Sequence, residues 1–317
     1  MVGVALTLTA INRFPVKSCR GQSLTSATVE PWGLAGDRRW MIVDADGETV
    51  TAREHPRLVL VRPELTAPGL RLTSPDLDEL VVPVPDGRAL VDVTVHGNPV
   101  RAALADAGHE WFSKITGEPV RLVYLDDPTR RAPNPRFSKA SDRVSLADGY
   151  PLLLATEESL AALNDLIAAG KHAAEGPLPM VRFRPSLVVR GAPAWAEDGW
   201  RRVRIGDAVF RAVKGCDRCV LTLVHPETAA TGKEPIATLA RHRRWDGKTW
   251  FAMNLIPDTP GATITVGDDV EILDSVEALD GPPRLIPALR GVSGAASRRA
   301  GRRRGRSRRC RRRNTSG

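Results

Sequence analysis

The first hundred residues are a succession of short segments in which β-branched and other apolar residues alternate with polar ones. They run "VALTLTAINRFP", "LTSATVEP", "RRWMIVDADGETVTAR", "RLVLVRPEL", "GLRLTSP", "ELVVPVP" and "LVDVTVHGNPVRA". Each is bounded by Gly, Pro or Asp at the spacing of antiparallel strands joined by tight turns. "DADGET" carries the Asp-Gly pair of a tight hairpin. Strict alternation leaves each strand one face to bury, so this half is expected to close on itself as a small β-barrel or sandwich.

A helix is expected over residues 101 to 116, "RAALADAGHEWFSKIT", where Leu104, Trp111 and Phe112 recur with alanines at helical spacing. The polar, Pro-rich run "LDDPTRRAPNPRFSKASDRVSLADGYP" is the best candidate for a boundary between domains. Beyond it, "PLLLATEESLAALNDLIAAG" reads as a strand and then a helix capped by Thr156. The remaining segments are strand-like again. The fold class expected is mainly β with a few helices (α+β), with domains over residues 1–120 and 121–280 and an Arg-rich tail over 281–317. At 317 residues and 42% hydrophobic, the chain has enough apolar side chains for such a core.

The formal charge of +9 suggests nucleic acid as a partner until its distribution is considered. Residues 291 to 317 hold eleven arginines and no acid, so the rest of the chain carries −2. The tail lacks the apolar residues needed to fold and is expected to be disordered; any binding of nucleic acid should be nonspecific, salt-sensitive and confined to it. No apolar run approaches the roughly 18 residues that cross a bilayer, and the N-terminus lacks the features of a signal peptide. A cytoplasmic protein without a membrane span is expected.

Four cysteines occur, at positions 19, 216, 219 and 310, too few and too scattered for a disulfide framework. Two of them form the motif "GCDRCVLTLVHP". A structural zinc site wants four ligands, and neither a second CxxC nor histidines at the proper spacing complete one, His225 and His242 being badly separated. An iron–sulfur cluster fails on the same count. A redox dithiol would sit at a helix N-terminus, whereas the residues that follow here alternate like a strand. Two buried thiols acting as small hydrophobes remain an option. Lys214, Asp217 and Arg218 make the setting polar and electropositive, which suits a single thiolate bound to a soft metal centre.

Four motifs give that thiolate company: "FPVKSCRGQSL", "GLAGDRRWMIVDADGETVTAREHPRLVLV", "FRPSLVV" and "CDRCVLTLVHPETAATGKEPIATL". In this order they resemble the MOSC-domain proteins, in the class with a MOSC N-terminal β-barrel domain that includes the amidoxime-reducing components. The resemblance runs from about residue 4 to about residue 275. It implies molybdenum cofactor (Mo-molybdopterin), with Cys219 as the thiolate ligand of the metal and the catalytic centre, and Cys216 as a bystander. It further implies that Lys17, Ser18, Arg38 and Arg184 hold the cofactor phosphate, as bidentate guanidinium and point-charge ammonium groups can. Ser186 stands where these relatives have Asn, leaving a shorter arm toward the pterin. Arg53, Asp148, Tyr150, Thr222 and Asn254 fall on motifs that resemble pocket walls, although Asp148-Gly149 could equally be a turn and Asn254 a strand end.

The activity implied is reduction of small N-oxygenated compounds such as hydroxylamines, hydroxamic acids and amidoximes. Electrons would come from a separate ferredoxin-like protein or reductase, since the chain has no cysteines for a cluster of its own. Asp148, Asp217 and His225 are candidate proton donors. Sulfur transfer by a persulfide on Cys219, and non-catalytic carriage of the cofactor, are the rival readings.

Overall fold

The computed structural model describes residues 5–277. The tail expected to be disordered lies outside the described residues. Seven strands close into a barrel in the order Leu152–Thr156, Leu187–Arg190, Leu6–Arg13, Asp269–Ser275, Trp200–Ile205, Ala208–Asp217 and Lys248–Pro257, the last pairing back onto the first. All neighbours are antiparallel except Leu152–Thr156 and Leu187–Arg190, which run parallel. The alternation of the sequence appears as inward Leu8, Ile11, Leu154, Leu187, Val189, Val203, Ile205, Phe210 and Leu255, all fully buried in one core. Closure leaves no barrel strand without a neighbour on either side.

The N-terminal strand therefore belongs to the barrel made otherwise by the second half of the chain. Leu6–Arg13 pairs with Leu187–Arg190 on one side and Asp269–Ser275 on the other. Strand Ser26–Glu30 likewise pairs with Thr263–Thr265. The two halves are interlocked by their β-ladders.

Strands Trp40–Val43, Arg121–Tyr124, Asn98–Leu104 and Leu90–Val95 form a second sheet in that order. Bridges from Val43 to Thr49 and from Glu48 to Thr94 join its first and last strands into a small ring around Met41, Val93, Val95, Val123 and Leu125. A three-stranded sheet, Arg62–Thr66, Gly69–Ser74 and Leu77–Pro83, lies beside it. The expected hairpin at "DADGET" is present: Asp44 Oδ1 accepts from the backbone N–H groups of Asp46 and Glu48, each at 2.9 Å, and Gly47 takes a φ of 85°.

The helix expected over 101 to 116 is confined to His109–Thr116, and Asn98–Leu104 is strand. Ala102 and Ala103 pair with Val91 and Leu90 and are buried there, so tertiary pairing overrides the helical preference of alanine. The helix buries Trp111, Phe112 and Ile115 and ends at Gly117, whose φ of 79° suits glycine. "VLTLVHP" also departs from its expected strand, since Val220–Leu223 is a 3-10 turn. Thr222 donates from Oγ1 to the Cys219 carbonyl at 2.9 Å, offering the backbone a local partner in place of a ladder.

Helix Glu157–Ala168 begins as expected at Thr156, whose hydroxyl accepts from the Ser159 N–H at 3.2 Å. Behind that cap lies Glu197, fully buried, whose Oε2 accepts from Ser159 Oγ at 2.8 Å and Thr156 Oγ1 at 3.2 Å. Its Oε1 has no partner. Burial, with the neighbouring Asp198, pushes this carboxyl up to about 7. Asp198 itself is joined to the buried guanidinium of Arg243 at 2.5 Å.

Candidate active site

Where the barrel meets the N-terminal sheets, a pocket opens whose walls come from six separated segments of the chain, near residues 17–18, 38, 51–53, 147–153, 182–184 and 216–222, with Asn254 between them. The Pro-rich run proposed as a domain boundary supplies one of these walls. It buries Val144, Leu146 and Ala147 and holds Arg131 inside, where Nη1 donates to the carbonyls of Ser145 and Ala147 and Nη2 to that of Asp148 at 2.9 Å. The strand Ala208–Asp217 delivers the cysteine motif, and Lys248–Pro257 delivers Asn254, whose Nδ2 donates to the Gly215 carbonyl at 3.2 Å.

Two guanidinium groups lie over one aromatic ring. Arg38 and Arg184 lie over Phe14 at 4.6 Å and 4.2 Å from its centroid. Both residues have left-handed backbone, φ of 45° and 55°, which turns their side chains inward from adjacent loops. Gly21 gives the ring its room: a Cβ there would meet Phe14 at 2.5 Å. Arg184 also donates to the Cys19 carbonyl at 2.7 Å, and burial, then the charge of Arg38, lowers its guanidinium to about 10. It stays cationic at neutral pH.

Six cations line the pocket: Lys17, Arg38, Arg53, Arg182, Arg184 and Arg218. Lys17 is ion-paired with Asp148, and Arg38 with the buried Asp37. Among the described residues, the other four have no carboxylate within ion-pair distance. The buried Nε atoms of Arg53, Arg182 and Arg218 have no hydrogen-bond partner at all. Buried charges are ordinarily paired, so this pocket is built for an anion with several acceptor oxygens.

The acids nearby are already engaged. Burial alone would raise Asp148, but Lys17 and His96, whose Nε2 lies 3.1 Å away, hold it well below the usual carboxylate range. Burial likewise opposes, and Lys214 and Lys248 overcome the opposition at, Asp217, which sits at about 2. Lys17 is pushed down by burial against the pull of Asp148. Tyr150 is raised to about 12 by burial and by Asp217, so it enters the pocket as a neutral phenol.

The two cysteines are unlike. Cys216 is half-buried, and its Sγ accepts from Arg218 Nη1 at 2.9 Å; burial raises its thiol, with Arg218 opposing. Cys219 is exposed on the pocket wall, with no hydrogen bond to its sulfur. Cys19 is fully buried and pushed up to about 12 by burial. No group of three or more His, Cys, Asp or Glu side chains among the described residues could hold a bare ion. A metal bound at Cys219 would have to bring its other ligands with it.

Of the residues singled out from the sequence, Cys219, Lys17, Ser18, Arg38, Arg53, Arg184, Asp148, Tyr150, Thr222 and Asn254 meet in this pocket. Ser186 does not. It is fully buried in the barrel wall, where its Oγ accepts from the Leu153 N–H at 3.3 Å, so the short hydroxyl folds back on the backbone. His225 also lies elsewhere, its Nδ1 accepting from the Glu227 N–H at 3.2 Å in a surface loop. Arg182 and Thr51 were not anticipated, and Arg218 only as part of the charged setting. Arg182 could have been found from "RFRPS", where a second arginine two residues before Arg184 shares its 3-10 turn.

Fold and site together define a β-barrel protein in which one exposed thiol shares a pocket with four arginines that lack carboxylate partners. Comparison with known domains gives the same architecture a family. The MOSC N-terminal beta barrel domain matches residues 5–119, and the MOSC domain matches residues 141–271. "Mitochondrial amidoxime-reducing component 1" of Homo sapiens is 32% identical over 281 residues, covering 82% of this chain and 81% of its own length. Its Danio rerio counterpart is 36% identical over 249 residues, 74% of each chain. "Molybdenum cofactor sulfurase" of Oryza sativa subsp. japonica is 33% identical over 266 residues, 78% of this chain and 32% of that one. The chain belongs to the MOSC-domain proteins that carry a MOSC N-terminal barrel domain.

Proposed function

We propose that this chain is a cytoplasmic molybdenum-cofactor oxidoreductase that reduces N-hydroxylated and other N-oxygenated small molecules with electrons from a separate carrier protein. The observation that carries the reading is the exposed Cys219 thiol on a wall shared with four guanidinium groups that lack carboxylate partners. Pterin-bound molybdenum matches both halves of that donor set. It brings its own dithiolene sulfurs, so one protein thiolate suffices, and thiolate is a soft ligand suited to such a metal. It also ends in a phosphate, for which a cluster of cations is the natural receptor. When bound, the cofactor would supply two-electron redox chemistry.

The residues present account for the rest. Cys219 would hold the metal side, while Lys17, Ser18, Arg38 and Arg184 would hold the phosphate side, Arg38 and Arg184 being fixed in direction by Phe14. Cys216, committed to Arg218, is the bystander. Tyr150 and Asn254 close the pocket as neutral hydrogen-bonding walls. Asp148 and Asp217 both line the pocket, each already paired with cations, and His225 lies in another loop.

The test is molybdenum and pterin content of the full chain from a cofactor-competent host, beside Cys219→Ser and Cys216→Ser. Near-stoichiometric molybdenum, with turnover of a hydroxylamine or an amidoxime lost only in Cys219→Ser, is the expected result. Metal-free protein carrying a labile persulfide on Cys219 would replace this reading with that of a sulfur carrier, a role the exposure of the thiol would equally permit.

A further inference from the structure

The wall that carries Cys219 is also part of the outer surface. Cys219 is exposed, and Val220 beside it, at 52%, is the most exposed large apolar side chain among the described residues. A lone exposed valine is ordinary; the surface around this one is not. The turn Val220–Leu223 is fastened at both ends to a cationic face. At its start, the Arg218 N–H donates to the Thr249 carbonyl at 2.8 Å and Thr249 Oγ1 donates to the Arg218 carbonyl at 3.3 Å. Arg244 lies directly opposite Thr249 in its ladder, and such pairs share a face of the sheet with their Cβ atoms about 4.5–5.5 Å apart. Arg244 therefore stands beside the Arg218–Cys219 backbone. At the other end, the Gly232 N–H donates to the Leu223 carbonyl at 3.0 Å, which sets Lys233 next to the turn. Helix Ile236–His242 runs between the two, with Arg241 in its last turn.

Lys233, Arg241 and Arg244 are exposed with no carboxylate within ion-pair distance. Lys171 is a fourth, in the loop whose Glu175 carboxylate accepts from the N–H groups of Lys233 at 2.8 Å and Glu234 at 2.9 Å. Among the described residues, the other exposed cations in that state are Arg62, Arg136 and Arg190, each on a different segment. The carboxylates of this face are mostly engaged. Glu175 holds those two amides, Asp217 holds Lys214 and Lys248, Glu227 holds Arg20, and Glu234 is buried on Thr238. Asp246, at the tip of the hairpin, is the exception. The surface around Val220 is thus cationic, although the chain outside the Arg-rich tail carries −2.

We infer that this face is the docking surface for an acidic, one-electron carrier protein, centred on Val220 and rimmed by Lys233, Arg241 and Arg244. The inference rests on the reductase reading, which needs a separate carrier, and adds where that carrier lands and what charge it bears. Electron-transfer encounters are small and weak, and an apolar centre inside a polar rim is the anatomy of a protein interface. Complementary charge across such a rim sets the encounter rate and the orientation. Cys219–Val220 is also where the pocket wall meets solvent, so a protein seated there stands close to the thiol. Nucleic acid would meet the same cations but would set its phosphates against an apolar side chain. In the reaction served, two carrier molecules are each oxidised by one electron; R–NHOH takes up both electrons and two protons from solvent, its N–O bond breaks, and R–NH2 and water leave.

Two donors separate docking from chemistry: a plant-type ferredoxin, which is a small acidic one-electron carrier, and reduced methyl viologen, a small cation that needs no docking face. The full, molybdenum-loaded chain is compared with Arg241→Glu/Arg244→Glu and, for an equal change of charge elsewhere, with Arg88→Glu/Arg190→Glu, both exposed. All three proteins carry the Arg-rich tail. With benzamidoxime as substrate, KM for ferredoxin should rise at least about tenfold in the first variant and stay within about twofold of the parent in the second. Viologen-driven kcat should be the same in all three. Added salt should raise KM for ferredoxin in the parent, and the first variant should lose most of that dependence. Binding gives a readout without turnover: titration calorimetry should show ferredoxin affinity falling by the same factor. Equal KM and affinity in the three proteins, or an equal loss in the second variant, would overturn the inference while leaving the reductase standing. So would a parent that turns over with viologen but neither binds ferredoxin nor accepts its electrons. An oligonucleotide that loses affinity in the first variant while ferredoxin does not would assign the face to nucleic acid instead. A molybdenum-loaded parent that reduces no N-oxygenated probe with viologen would remove the reductase reading and this inference with it.

Discussion

Glu197 offers a quantitative check on the barrel's interior. The carboxyl is fully buried, one oxygen is held by Ser159 and Thr156, and the other has no donor. Folding raises it from an ordinary 4.5 to about 7. A carboxyl raised on folding binds its proton more tightly in the native state, so its contribution to stability is full below pH 4.5 and is lost as pH rises through 7. At about 1.4 kcal/mol per unit, the complete loss is about 3 kcal/mol, most of which falls between pH 5 and pH 8. Glu197→Gln keeps the shape and the acceptor but cannot ionise. Its amide still faces the unpartnered position, a cost of about 1–3 kcal/mol that does not depend on pH. The difference between parent and variant should therefore swing by about 2–3 kcal/mol toward the variant from pH 5 to pH 8. Urea denaturation of both proteins across that range measures it. A difference that stays constant with pH would refute the claim that this carboxyl is neutral in the folded barrel near pH 5 and strained above pH 7.

The remaining predictions concern the pocket. Gly21→Ala drives a methyl into the Phe14 ring and should cost about 1–3 kcal/mol of stability by overpacking; thermal unfolding checks it, and cofactor content should fall as the stacking of Arg38 and Arg184 on Phe14 is disturbed. Arg184→Lys removes the planar group stacked on Phe14 and bonded to the Cys19 carbonyl, so pterin retention through gel filtration should drop about tenfold with little change in unfolding. Cys216→Ser should retain molybdenum at parental level, whereas Cys219→Ser should not, as elemental analysis will show.

Much of this was legible in the residues, though unevenly. The Asp44 turn and the Thr156 cap follow from local chemistry that needs no distant partner, and both are where the sequence places them. The strands of the N-terminal half are likewise visible as alternation. Their partners are not, because alternation specifies a face to bury and says nothing of which strand lies alongside. Hence "RAALADAG" looks helical until Val91 and Leu90 are set beside Ala102 and Ala103. The pocket residues Lys17, Arg38, Arg184 and Cys219 were marked by a resemblance in motif order. Arg182 was not, since a buried guanidinium and a surface one are identical in sequence. Ser186 lies on its motif yet turns away, because its hydroxyl finds a backbone N–H nearer than the pocket.

The pairing of Leu6–Arg13 with Leu187–Arg190 and Asp269–Ser275 has a consequence for how the protein is made. This strand can pair early with Gln22–Leu24, but its ladder with Asp269–Ser275 cannot form until almost the whole described chain has been synthesised. At about 5–20 residues per second, the intervening 250 or so residues take on the order of 10–50 seconds, during which its apolar face must be shielded by something other than its final partners. Such long-range ladders close slowly. A nascent chain stalled before residue 269 would therefore present Leu8 and Ile11 to chaperones, and the yield of this protein in a cell should respond to chaperone supply more than its finished stability would suggest.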